Sequence, residues 1–243
     1  MDSYAILEKL CNIPGAIGFE DQVRETIAEL VRPLVDDLRV DALGNLIVTR
    51  RGKSNFKLML DAHMDEIGFM VQYIDERGFI RFTPLGSWDA RLLLSHAPTI
   101  YTREGGSVQG VIGTRPPHIL LPAERESVIP VEDMFIDVGA TSRQEVREMG
   151  VRVGDPILIA YPFCRIGKDT VMGKALDDRV GCAMILKTLE MHGFLRYAQQ
   201  EGGVYRLSFR LVELGGIAYK TTSMRKQGVR SRLSSRIRRS AKP

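Results

Sequence analysis

The chain has 243 residues, 44% of them hydrophobic and 26% charged, with 34 Lys+Arg against 30 Asp+Glu and a formal charge of +4. This composition excludes collagen-like, wholly disordered and coiled-coil chains, and the length suffices for one large domain or two smaller ones. The charge is unevenly placed: Arg206 to Pro243 carries eleven basic residues and one acid, a net of +10, which leaves 23 basic and 29 acidic groups, or −6, on the preceding 205 residues.

Tyr4, Leu7 and Leu10 form a short apolar helical face that ends at the Pro14-Gly15 turn signal. Val23, Ile27, Leu30, Val31 and Leu34 follow at helical spacing, with Glu20 and Asp21 where negative charge suits a helix N-terminus. Asp41 to Asn45 reads as a turn, Leu46 to Val48 as a short strand, and Lys57 to Leu60 as a buried strand that leads into Asp61-Ala62-His63-Met64-Asp65. From about Val71 to about Arg165 the texture changes. Short β-type runs (Phe79 to Phe82, Thr99 to Tyr101, Val111-Ile112, Pro156 to Ile159) alternate with Gly, Pro, Asp and Asn, and eight of the eleven prolines lie here. Such a stretch predicts a small β-rich barrel or sandwich, interrupted by one helix over Ser142–Met149 capped by Thr141 or Ser142. The strand-to-helix pattern then resumes, and Asp178 to His192 places Val180, Ile185, Leu186 and Leu189 on one apolar face. The expected fold class is an α/β body with an inserted small β-rich, barrel-like domain.

Cys11, Cys164 and Cys182 are odd in number, widely spaced and without a CxxC pair, which argues against a disulfide framework and for a cytoplasmic location. The N-terminal residues lack the basic and apolar regions of a signal peptide, and no apolar run approaches a membrane span. No membrane partner is expected.

Two polar clusters stand out. In DAHMDEIGFM (Asp61 to Met70), strand alternation would point Asp61, His63 and Asp65 together. His63 would be a nitrogen ligand for a divalent metal and Asp65 the carboxylate that fixes its tautomer. A loop histidine among solvated acids would give the same pattern. In GKALDDRVG (Gly173 to Gly181), adjacent aspartates before an amphipathic helix suit an N-cap. They equally suit a carboxylate that bridges two cations, with Asp177 in that role and Asp178 and Arg179 holding the turn.

Taken with NIPGAIGFEDQVR, DALGNLIV, GVIGTRPPH and DMFIDVGATSRQEVREMGVRVGDPI, in this order, the two clusters resemble dinuclear metallo-aminopeptidases of the tetrahedral, glutamyl-aminopeptidase type, some of whose members are labelled endoglucanases. The resemblance covers nearly all of residues 1 to about 205. It implies a zinc-peptidase-like α/β body in two parts, residues 1–70 and 166–205, around an inserted β-rich dimerisation domain, residues 71–165, with a divergent basic tail at 206–243. It also implies two divalent metal ions, Zn or Co, a peptide substrate trimmed from its free N-terminus, and a homo-oligomer built from dimers, a dodecamer in the complete family. Residue by residue, His63 matches a terminal metal ligand, Asp65 its carboxylate partner with a catalytic role, and Asp177 the bridging ligand. In similar enzymes the Asp177–Asp178 peptide is cis.

The pattern then breaks. The family's strand ending in two glutamates and a glycine has Phe209 to Gly216 as its nearest text; Glu213 matches the metal ligand, whereas Val212 stands where the general base belongs. A solvated strand-end acid is the other reading of Glu213. From Leu214 onward there is no Asp, Glu or His to supply the remaining ligands. His96, His118 and His192 match no ligand position. The Arg- and Ser-rich residues after Tyr219 admit three readings: an electrostatic nucleic-acid tail, a solvated disordered end, or sequence substituted by a change of reading frame. The abrupt end of the resemblance favours the third, so nucleic acid is not the expected partner. The expectation is thus a metal-dependent aminopeptidase of weak or absent activity, set against a non-catalytic truncated scaffold or a basic-tailed nucleic-acid binder.

Overall fold

The structure is a computed structural model that describes residues 2–52, 56–116, 118, 127–191 and 203–210. The first two helices arise where the apolar spacing predicts them: α1 spans Ser3–Asn12 and α2 Asp21–Val31. The buried face of α1 is Ile6, Leu10 and Cys11, with Leu7 packed at its margin, so the face is rotated slightly from the Tyr4–Leu7–Leu10 line. The α2 face is Val23, Ile27 and Val31.

Strands β1 (Asp37–Val40), β2 (Leu46–Arg50) and β3 (Phe56–His63) follow. They form a four-stranded sheet with β13 (Gly203–Arg210) in the order β1-β2-β13-β3. β1 was not legible: Asp-Leu-Arg-Val is mostly exposed and lacks the apolar alternation that marks a strand. β13 pairs antiparallel with β2 and parallel with β3, so strand pairing runs across position 206 as far as Arg210. The late helix α4, Leu176–Glu190, packs on β3, and α1 packs on α4. Together they enclose one core that includes Ile6, Leu10, Ile27, Leu46, Val48 and Leu186. Ile185, Leu186 and Leu189 are buried as expected, but Val180 is not. It lies 38% exposed with Met184 on the outer side of α4, because the inward positions one turn apart are taken by Arg179, Cys182 and Ala183.

The second sheet is built from β4 (Gly68–Ile74), β5 (Ile80–Leu85), β6 (Pro98–Tyr101), β7 (Ser107–Gln109), β8 (Val111–Gly113), β9 (Phe135–Asp137) and β10 (Pro156–Ile159). Its order is β7-β6-β10-β4-β5-β9-β8, antiparallel throughout. Its two edge strands, β7 and β8, flank the single residue Gly110, so the sheet is curled nearly shut and its ends meet along the chain. Gly110 sits where a Cβ would come within 2.5 Å of Ile136 Cγ2 and 2.7 Å of the Asp137 carbonyl, which fixes glycine at the joint. Phe69, Val71, Ile80, Phe82, Ile100, Ile136 and Ile157 fill the interior, and the short helix α3 (Arg143–Glu148) adds Val146. A hairpin, β11 (Cys164–Ile166) with β12 (Thr170–Met172), leads the chain back to α4.

The fold class is therefore the expected one, a mixed α/β body with a barrel-like β-sheet. Ala16 and Ile17, in the loop after α1, form a small third cluster with Leu85 of β5 and Leu158 of β10. Among the described residues no helix is long and apolar enough to cross a membrane.

Candidate functional site

β3 ends at His63, and β13 reaches the same edge of the first sheet with Arg210 paired in register to His63. The segment opposite is the entry to α4, where Ala175 takes a left-handed conformation at φ 57°. Asp177 and Asp178 have non-helical backbone angles, and the peptide between them is cis. Asp178 secures the turn by accepting from the Gly181 N–H at 2.9 Å. Arg179 turns inward, wholly buried, and donates to the Leu10 carbonyl at 2.6 Å.

These two edges place His63 between two carboxylates. Nδ1 lies 3.0 Å from Asp65 Oδ1 and Nε2 lies 2.9 Å from Asp177 Oδ1. The three groups are exposed very differently: the Asp65 side chain is 5% exposed, His63 31% and Asp177 95%. The site therefore has a buried anchor, a half-buried imidazole and a carboxylate open to solvent. The Asp65 hydrogen bond, with a further contribution from Asp177, pushes the His63 imidazolium up to about 9 against the opposing effect of burial. At neutral pH without a cation, both ring nitrogens then donate to carboxylates. A cation at Nε2 takes the place of that proton, so metal and proton compete for the same lone pair.

The sequence places Asp61, His63 and Asp65 on one strand face, but β3 stops at His63. Asp61 shares the exposed face of β3 with His63, whereas Asp65 reaches Nδ1 from the turn beyond the strand. Val212 and Glu213 lie outside the described residues, as does His192. His96 pairs with the Tyr161 hydroxyl at 3.0 Å and His118 is exposed.

The donor set suits a divalent cation as far as it goes. One imidazole is oriented through its far nitrogen and one carboxylate faces its near nitrogen, the arrangement in which a ligating histidine is usually held. Two donors of one tetrahedral zinc, each about 2.0–2.1 Å from the metal, stand roughly 3.3 Å apart. His63 Nε2 and Asp177 Oδ1, at 2.9 Å, are close to that separation already. Among the described residues no group of three or more His, Cys, Asp or Glu is gathered for a metal, so this pair is a partial set.

Two residues that bear on the site, Glu66 and Lys174, were not singled out by sequence reasoning, and the sequence marks Glu20 only as a charge suited to a helix N-terminus. Glu66 and Lys174, 108 positions apart, meet at 2.6 Å, and Glu20 is 3% exposed in the turn before α2. Glu66 and Lys174 each lie inside a polar cluster already noted. Their mutual contact leaves no sequence signal, because an ion pair has no periodicity.

The family model for M42 glutamyl aminopeptidase matches residues 44–196, more than half of the chain. The chain belongs to this family. Over 185 residues it is 41% identical to the FrvX protein of Escherichia coli (strain K12), covering 76% of this chain and 52% of that protein. A solved aminopeptidase from the archaeon Desulfurococcus kamchatkensis is 36% identical with a TM-score of 0.78, over 86% of this chain and 56% of that one. The TET1 peptidase of Pyrococcus horikoshii, which can assemble into a tetrahedron or a large octahedral shell, is 32% identical with a TM-score of 0.74, over 86% and 61%. The chain spans about half the length of the FrvX protein it matches.

Proposed function

We propose that this chain is a metal-dependent aminopeptidase that removes residues from the free N-terminus of peptides, with His63 and Asp177 as ligands of the divalent cation and Asp65 as the group that orients His63. The observation that carries the reading is the Asp65–His63–Asp177 line, assembled from segments 114 residues apart at hydrogen-bonding distance. Membership in a family described as glutamyl aminopeptidase supports the reaction class. Zn or Co, two ions in a complete site, would lower the pKa of bound water and polarise the scissile carbonyl. The protein's own residues hold the imidazole, fix its tautomer and present an open carboxylate to solvent.

β13 brings the chain to the His63 end of the sheet at Arg210, three residues before Glu213. We propose Glu213 as a further ligand and Val212 as the reason for a slow chemical step, since valine cannot carry a proton. The β-rich residues 71–165 would be the dimerising module of a homo-oligomer, supported by the shell assembly of the Pyrococcus horikoshii TET1 peptidase. A cytoplasmic setting fits the three free thiols of Cys11, Cys164 and Cys182.

Hydrolysis of aminoacyl anilides by the full chain tests the reading. Cobalt or zinc should support a slow reaction that a chelator and His63→Ala both abolish. Val212→Glu should raise kcat, by about 10²–10⁴-fold if it restores a positioned general base. Hydrolysis indifferent to chelator and to His63→Ala would overturn the proposal.

A further inference from the structure

The chain segments that carry His63 and Asp177 are tied together by a second set of charges beneath the site. Glu66 lies three residues after His63 and is 4% exposed. Lys174 and Arg179 flank Asp177 in sequence and are 10% and 0% exposed. Lys174 Nζ donates to Glu66 Oε1 at 2.6 Å and to the Ile13 carbonyl at 3.0 Å. The Gly15 N–H donates to the same Glu66 oxygen at 3.1 Å, and the Glu66 N–H donates to the Gly15 carbonyl at 2.8 Å. Arg179 Nη1 reaches the Leu10 carbonyl at 2.6 Å, while its Nη2 stands 3.9 Å from Glu66 Oε1. Glu66 and the two cations together thus gather the end of α1, the loop after it, the turn after β3 and the entry to α4.

The charge count is unusual. Two buried cations converge on one carboxylate, and Nε and Nη2 of Arg179 make no hydrogen bond among the described residues. Burial pushes the Cys11 thiol up to about 11 and the Cys182 thiol up to about 12, so neither sulfur adds negative charge at neutral pH. Burial also pulls the Lys174 ammonium below its ordinary value, and the neighbouring Glu66 opposes that shift. A buried pair of this kind contributes little net stability, because desolvation offsets the Coulomb attraction. Its geometric consequence is larger. The excess positive charge lies beneath a site whose groups include Asp65, Asp177 and Asp178, and the contacts tie both edges of that site to Glu66 and to the residues at the end of α1.

We propose that Glu66 and Lys174 are positioning residues: their buried contact, backed by Arg179, holds the His63 and Asp177 segments in register, so that the two donors face one another. This rests on the reading of His63 and Asp177 as ligands, and its test separates the two. Lys174→Met cuts the 2.6 Å tie while leaving Glu66 and Arg179 as a neutral pair, so the fold should be retained. In chelator, the coupling between His63→Ala and Asp177→Ala is measured by urea unfolding in the wild-type and Lys174→Met backgrounds. The coupling should be present in the wild type, lost in Lys174→Met and restored at least in part by Lys174→Arg. A role confined to global stability would shift all the midpoints and leave the coupling unchanged, and that result would overturn the inference. If Lys174→Met does not fold, Glu66→Asp, which keeps the charge and shortens the reach, carries the same comparison. Cobalt titration gives the second readout, with affinity expected to fall about 10–100-fold in Lys174→Met. A wild-type chain that binds no cobalt would remove the metal reading, while the metal-free coupling would still decide the role of Lys174.

Discussion

Glu20 carries an ionisable carboxyl where solvent hardly reaches, 3% exposed, with the Gly18 N–H donating to its Oε1 at 2.6 Å. Burial raises its pKa from 4.5 to about 7, against the pull of that hydrogen bond. The sign of the linkage follows. Below pH 4.5 the carboxyl is protonated whether the chain is folded or unfolded. Between about 4.5 and 7 the unfolded chain releases the proton first, so stability falls as pH rises, and above 7 the loss is complete. Unfolding by urea should therefore show a decline over that window, and Glu20→Gln should remove most of it. At pH 8 the Gln variant should be the more stable by about 1–3 kcal/mol. A wild-type chain equally stable at pH 5 and pH 8, after correction for the Gln variant, would contradict this account.

At the scale of elements, α3 depends on its ends. It has six residues and buries only Val146, too little for propensity alone to hold it. The Ser142 hydroxyl accepts from the Glu145 N–H at 3.2 Å, and the Glu145 carboxylate reaches back to the Thr141 N–H at 2.7 Å. The first bond satisfies a helix N-terminal donor, and the second ties the residue before the cap to the first turn, a variant of the capping box displaced by one residue. Ser142→Ala should lower stability by about 1 kcal/mol, read as a shift in urea midpoint. Hydrogen exchange should quicken first in residues 143–148. The cap was legible as Thr141 or Ser142, and the helix adopts Ser142. Among the strands that went unread, β1, β7, β9, β11 and β12 have three or four residues each, too few for alternation to register, whereas β4 has seven and buries Gly68, Phe69, Val71 and Ile74 without a strict alternation.

The whole molecule has two principal cores, one under the four-stranded sheet and one inside the barrel-like sheet, and the small third cluster of Ala16, Ile17, Leu85 and Leu158. Phe69 is fully buried in the second core, against Phe82 edge-on at 5.1 Å and Trp88 stacked at 5.0 Å. Phe69→Ala should cost about 3–5 kcal/mol. Because the cores share few side chains, exchange should accelerate by about 10²-fold or more in β4, β5 and β10, and far less in α1, α2 and α4. Equal acceleration in both would mean that the two cores unfold as a single unit.

The sequence by itself determined the helices and part of the strands, the change from α/β to β-rich texture near Val71, and the two polar clusters. Each of these is written in residues close together: the 3.6-residue spacing of α2, the density of proline and glycine, the run DAHMDEIGFM. Only the tertiary structure decided how they combine. It inserted β13 between β2 and β3, closed the second sheet through Gly110, turned Val180 outward, and brought His63 within 2.9 Å of Asp177 and Glu66 within 2.6 Å of Lys174. The reason is physical. A periodic pattern records which face of an element is buried, but a contact between residues more than a hundred positions apart is set by the packing of whole elements, and neither partner's local sequence encodes the other.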